Sequence, residues 1–173
     1  MVRGSLLFLS GVMLLAGCTA EADDATEPVV QSATIPSETE ASEKSPEEEA
    51  VDTYLRFWDA IVLASAEKDP NHPDLEQYAV GQALELAQRG VQGVAEAGYG
   101  MEGEPVPAPE VVSAEPTDEP RSIVIRDCQG AGDWKVVGEA EPRSDNVRVD
   151  ARVNRDVFSW RVVQLQVWGD DSC

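Results

Sequence analysis

The segment SPEEEAVDTYLRFWDAIVLASAEKDP sets apolar side chains at helical spacing on an acidic background. Val51, Tyr54, Leu55, Trp58, Ile61 and Val62 recur every three or four positions, and Ser65 continues the stripe. Ser45 is a cap, Pro46 suits the first helical position, and Glu48 completes a capping box. Asp69-Pro70 ends the pattern. This predicts one long amphipathic helix whose aromatic stripe faces a core. After the turn DPNHP comes a short helical piece at Leu75–Tyr78, then a second long helix from about Val80 to Ala97. Val80, Leu84, Ala87, Val91 and Val94 share its apolar face, and the glycine of GYG closes it. Gly81, Gly90 and Gly93 weaken this helix by about 1 kcal/mol each relative to alanine. Close packing on a neighbour would account for them.

From Glu104 onward the period changes from helical to alternating. PAPEVVSAEP, RSIVIRDCQ, DWKVVGEAE, NVRVDARVN and FSWRVVQLQVWGD are short runs rich in Val and Ile between turn residues. In the fourth, Val147, Val149, Ala151 and Val153 face one way and Arg148, Asp150, Arg152 and Asn154 the other, a half-buried strand. NRD suits the hairpin connection that follows. Helices first and successive antiparallel strands afterwards predict an α+β domain over 47–173.

The N-terminus reads differently. Arg3 precedes an apolar segment, Leu6–Ala16, too short to cross a bilayer core, which needs about 20 residues in a helix. A short apolar stretch between a basic residue and small residues is a secretory signal. Leu15-Ala16-Gly17-Cys18 resembles the lipobox of bacterial lipoproteins. That resemblance implies cleavage after residue 17, a diacylglyceryl thioether on Cys18, and anchoring at the extracytoplasmic face of the cell membrane. Two acyl chains suffice for stable anchoring, where one is marginal. Residues 18–46 are acidic, Ser/Thr/Pro-rich and devoid of aromatics, which predicts a disordered tether.

The formal charge is −20; losing residues 1–17 removes Arg3 and leaves −21. Nucleic acid is excluded as a partner by this balance, since phosphate binding needs a basic footprint. With Cys18 lipidated, Cys128 and Cys173 remain as an even pair in an exported domain, which predicts a disulfide. Their loop of about 46 residues is worth roughly 4 kcal/mol in the chain-entropy model. Two cysteines and one histidine without paired spacing do not make a metal set, and no cofactor is expected.

A second resemblance covers about 48–173. The stretches YLRFWDAIVLASAEKDPNHPDLEQYAVGQAL and VIRDCQGAGDW and the closing FSWRVVQLQVWGDDSC are similar to small actinobacterial lipoproteins with a nuclear transport factor 2-like domain. The resemblance implies helices packed on a curved antiparallel sheet, a cone that in some relatives binds a ligand and in a minority holds a catalytic Asp opposite Tyr or Asp donors. No catalytic motif of the family aligns here, so no catalytic residue is assigned. The residues that could act are Asp59, Tyr54, Tyr78, Tyr99 and Asp127. Each has a plainer role, as helix surface, as core or rim tyrosine, or, for Asp127, as an acceptor of backbone amides beside the disulfide. His72, the single histidine, stands between turn formers and reads as structural.

Arg143, Arg148, Arg152, Arg155 and Arg161 could form a basic patch, but Asp145, Asp150 and Asp156 interleave with them and favour cross-strand pairs. The glycines of GYGMEGEP lack the spacing and strand context of a phosphate loop. These features point to a non-catalytic binding or interaction module, with a small apolar ligand or a cell-envelope protein as partner. The alternative is a small hydrolase or isomerase using a buried Asp/Tyr pair. Trp58, Trp134 and Trp160 filling the cone would remove the pocket on which both ligand and enzyme readings depend.

Overall fold

The computed structural model describes residues 44–138, 146–170 and 172–173. The leader, Cys18, the tether up to residue 43, Arg143 and Asp145 lie outside the described residues. The elements run α1 (Pro46–Glu67), α2 (Pro73–Tyr78), α3 (Gly81–Glu96), β1 (Met101–Glu102), β2 (Pro109–Glu115), β3 (Ser122–Gln129), β4 (Lys135–Val136), β5 (Val147–Arg155) and β6 (Trp160–Asp170). The fold is α+β: three helices pack on an antiparallel sheet of order β2-β3-β5-β6. No helix among the described residues is long and apolar enough to cross a membrane.

α1 starts where its local chemistry dictates. The Ser45 hydroxyl accepts from the Glu48 amide at 3.2 Å, and the Glu48 carboxylate accepts from the Ser45 amide at 2.8 Å. Three glutamates in the first turn favour the positive end of the helix dipole. Lys68, in the left-handed conformation, closes it. The buried face is wider than the sequence stripe, taking in Phe57, Ala50, Ala60 and Ala64 beside Tyr54, Trp58 and Ile61. The reason is that α1 touches β1, β2, β3, β5 and β6 as well as α2 and α3, so it is covered from two directions.

α3 buries Ala83, Ala87 and Val91, with Leu84 and Leu86 packed alongside. The expectation that its glycines serve close packing is corrected by the structure. A Cβ added at Gly90 or Gly93 would meet no atom within 4 Å. Gly93 is exposed and lies inside the helix, so Gly93→Ala is expected to stabilise the domain by about 0.5–1 kcal/mol. A urea titration checks this; an unchanged or lower midpoint would contradict it.

In the main sheet, Ile123, Ile125 and Asp127 of β3 pair with Val153, Ala151 and Val149 of β5, and all six are buried under the helices. The expected alternation of β5 is therefore present. β2 is an edge strand, which suits Pro109 at its start and the prolines that precede it. β6 is the other edge, and α2 and α3 cover it. The Val80 amide donates to the Val162 carbonyl at 3.0 Å, and the Gln82 side chain binds both the amide and the carbonyl of Leu165, at 2.7 and 2.9 Å.

Two expectations about strands need correction. Among the described residues of DWKVVGEAE, Lys135–Val136 is strand and pairs with Met101–Glu102 in a separate two-stranded sheet rather than with the main sheet. The β5–β6 connection falls on 156–159 rather than NRD. There the Asp156 carboxylate accepts from the Phe158 and Ser159 amides at 2.7 and 2.8 Å, a side chain closing its own turn.

Candidate functional site

β3 brings Asp127 against α1. The Tyr54 hydroxyl donates to Asp127 Oδ2 at 2.7 Å, and the Ala108 amide donates to Oδ1 at 2.6 Å. Both side chains are fully buried. The two members of the sequence-derived Asp/Tyr set that meet are therefore Tyr54 and Asp127, which stand 73 residues apart. Burial pushes the Asp127 carboxyl above its ordinary value, against the opposing effect of its bonds from Ala108 and Tyr54. Burial, and then the Asp127 charge, push the Tyr54 hydroxyl well above the usual phenol range. The Trp58 indole N–H tempers that shift from nearby without a hydrogen bond of normal geometry to the hydroxyl. The work this pair does is mechanical: it ties α1, β3 and the entry to β2 into one knot.

The remaining members lie apart. Asp59 is exposed on the outer face of α1, and Tyr99 is 56% exposed after α3. Tyr78 is half-buried and accepts from Gln77 at 3.2 Å. His72 caps α2: its Nδ1 accepts from the Asp74 amide at 3.3 Å, while Nε2 stands 3.6 Å from Glu67. Its structural role was legible in the sequence, but not that it is a cap, because His is an uncommon choice there. Among the described residues no cluster of three or more His, Cys, Asp or Glu side chains is placed to hold a metal ion. Cys128 and Cys173 are at disulfide distance, with Cα atoms 5.8 Å apart. Nearby, the Arg148 amide donates to the Ser172 hydroxyl at 2.8 Å, a further tie on the C-terminal end.

Next to the Tyr54–Asp127 knot the core opens. Trp58 meets Tyr54 edge-on at 6.5 Å and Trp134 edge-on at 6.1 Å. Between α1, α3 and β6 lies a cavity of about 290 Å³ with an almost wholly apolar wall that includes Trp58, Ile61, Leu86, Val91, Trp134 and Val167. A second cavity, of about 320 Å³, shares Trp58, Trp134 and Val167 and adds Gln129, Val147 and Trp168. Trp160 does not fill either one; its indole donates to Glu49 at 3.0 Å beside the first turn of α1.

Trp134 owes its position to a tight crossing of two loops. The Asp133 carboxylate accepts from the Glu104 amide at 2.8 Å, and Gly132 takes a positive φ where a Cβ would stand 2.3 Å from the Glu104 carbonyl oxygen. Gly103 crosses equally closely, where a Cβ would stand 2.2 Å from the Asp133 carbonyl oxygen. This last glycine belongs to the GYGMEGEP stretch, so backbone approach accounts for it. A pocket is implied by the family resemblance, but Gln129 as part of its wall is not legible in the sequence, because the residues that line the larger cavity come from α1, both loops and three strands.

On the solvent face of the sheet acids do pair with arginines, but among the described residues only Arg126 of β3 with Asp150 of β5 crosses strands; Arg148 and Asp150 share β5, and Arg161 meets Asp156 of the turn. Asp150 accepts from Arg148 at 2.6 Å, Arg126 at 3.0 Å and the Trp168 indole at 2.9 Å, and the Arg148 guanidinium lies 4.8 Å from the Trp168 ring centroid. Burial opposes ionisation of Asp150, but these three donors outweigh it and hold its carboxyl below the usual value. Arg161 pairs with Asp156 at 3.3 Å. Arg152 bonds Gln164 and Ser122, and Arg155 lies 6.0 Å from the Trp160 ring centroid. These contacts disperse the arginines rather than gather them into a patch.

Against known proteins, no family model matches the chain, and no curated protein matches it. Among solved structures, the intermembrane space region of the chloroplast protein ARC6 is similar at a TM-score of 0.45 and 12% sequence identity, covering 73% of this chain and 99% of that one. That likeness is too low to carry an argument about function.

Proposed function

We propose that this chain is a cell-surface lipoprotein, held by diacylglyceryl-Cys18 at the extracytoplasmic face of the membrane, whose nuclear transport factor 2-like domain binds a small apolar molecule without transforming it. The observation that carries the reading is the apolar cavity between α1, α3 and β6, with Trp58 and Trp134 standing at its wall. An apolar cavity with few polar groups is the usual form of a small-molecule site. Export and anchoring rest on Leu15-Ala16-Gly17-Cys18 behind the short apolar leader. A disulfide-distance pair at Cys128 and Cys173 agrees with an oxidising compartment.

The hydrolase or isomerase alternative requires a carboxylate facing a pocket. Tyr54 and Asp127 are paired, but both are sealed and neither lines the cavities described above, which favours binding over chemistry. A second reading, capture of a cell-envelope protein, draws on the β5–β6 turn, where Val157 and Phe158 are 87% and 92% exposed.

Mass spectrometry of the mature chain purified from membranes is expected to show the diacylglyceryl mass on the Cys18 peptide. Nile red added to that chain is expected to quench Trp58 and Trp134 by energy transfer. An unmodified Cys18 would end the anchor proposal. Absence of dye uptake, together with an envelope protein that co-purifies with wild type and is lost in Phe158→Ser, would replace ligand binding by partner capture.

A further inference from the structure

Among the described residues, four buried polar atoms have no hydrogen-bond partner: Trp58 Nε1, Trp134 Nε1, Gln129 Nε2 and Asn154 Oδ1. Three of them are donors, and those three belong to residues in the wall of the same cavity of about 320 Å³. Buried donors are ordinarily satisfied, and an orphan in a native fold calls for a missing acceptor. Trp58 has the Tyr54 hydroxyl close by, so Gln129 and Trp134 carry the argument. Gln129 is 6% exposed and projects from the inner face of β3, one alternation beyond Asp127, where the sheet would otherwise bury an aliphatic residue.

The missing group is constrained by what surrounds it. An indole N–H can only donate, so a ligand ammonium, which has no acceptor, cannot serve. Among the described residues no Lys, Arg or His lines either cavity, and the fully buried Asp127 stands next to Gln129 on β3 with one residue between. A carboxylate ligand would therefore lose its water without gaining a countercharge. A neutral carbonyl oxygen fits both conditions: it accepts, and it carries no net charge. The adjoining cavity shares Trp58, Trp134 and Val167 and is apolar, so it suits the rest of the same molecule.

Resting on the ligand-binding reading above, we propose that the site takes a neutral carbonyl compound with an apolar body, an ester, amide or ketone. Its oxygen is held by the Gln129 carboxamide and the Trp134 indole, and its body lies against Trp58, Ile61, Leu86 and Val91.

The test uses the mature chain with Cys18→Ser, which leaves every described residue in place, and three probes of one shape: methyl decanoate, decanoate at pH 8, and decane. Tryptophan emission reads binding. Methyl decanoate is expected to bind at least about tenfold more tightly than either decanoate or decane. Gln129→Leu is expected to abolish the preference of ester over decane; should that variant not fold, Trp134→Phe removes the other donor with an aromatic ring retained. Equal binding of ester and decane, or tighter binding of decanoate, overturns this inference and leaves the cavity reading standing. If none of the three binds, the ligand-binding reading falls and takes this one with it.

Discussion

Asp127→Ala is expected to lower stability by about 2–5 kcal/mol, a large part of the 5–15 kcal/mol typical of a domain. The alanine leaves the Tyr54 hydroxyl and the Ala108 amide buried without an acceptor, and each unmet group costs about 1–3 kcal/mol. Asp127→Asn keeps an acceptor oxygen and removes the buried charge, so its loss is smaller. Urea unfolding of both variants measures the difference. A loss below about 1 kcal/mol for alanine would mean that the knot between α1 and the start of β2 is not a stabilising one.

The same group has a distinctive pH signature. Its folded pKa is raised, so the folded state keeps the proton where the unfolded chain, titrating near about pH 4, has released it. As the pH rises from there through the folded value, this group removes stability; as the pH falls back, it restores it. Asp150 and Asp156 act in the opposite sense. Their folded pKa values are lowered, so their contribution is present above about pH 4 and is lost as the pH falls through the folded values. The stability of Asp127→Asn relative to the parent is therefore expected to improve steadily as pH rises through the Asp127 window. A difference that stays flat from acid to neutral pH would show that the buried carboxyl does not titrate in that range.

The second large effect is at the C-terminus. Cys128→Ser with Cys173→Ser is expected to cost about 4 kcal/mol by releasing a loop of sequence separation 45 in the unfolded chain. The fold itself keeps most contacts, because Cys128 lies on the solvent face of β3 and Cys173 follows the last strand. Locally, the bond from the Arg148 amide to Ser172 loses its support, so faster amide exchange at Arg148 accompanies the global loss. Denaturation with and without a reductant, read beside exchange at Arg148, tests both halves. An unchanged midpoint after reduction would refute the stabilising role of the bridge.

What the sequence determined by itself is what is local. The capping box at Ser45 and Glu48, the stop near Asp69-Pro70, the helix through Val91 and the alternation of Val149, Ala151 and Val153 follow from neighbours within a few residues, and they appear in the fold. Cysteine arithmetic predicts Cys128 with Cys173 once the lipobox reading sets Cys18 aside, and the two stand at disulfide distance. The tertiary structure decided whatever depends on which distant segments meet. Tyr54 and Asp127 both stand among the residues that could act, yet nothing local to either, 73 positions apart, says that one would bond the other inside a sealed core.

Trp58 and Trp134 were expected either to fill the core or to leave it open; loops crossing at Gly103 and Gly132 set Trp134 edge-on to Trp58 and left cavities beside the pair. The run DWKVVGEAE has the composition of a sheet strand, but β3 pairs directly with β5, and among the run's described residues Lys135–Val136 pairs instead with Met101–Glu102. Periodicity encodes which face of an element is apolar; it does not encode the partner that face will meet, because pairing and packing depend on the loops and on every other element competing for the same surface.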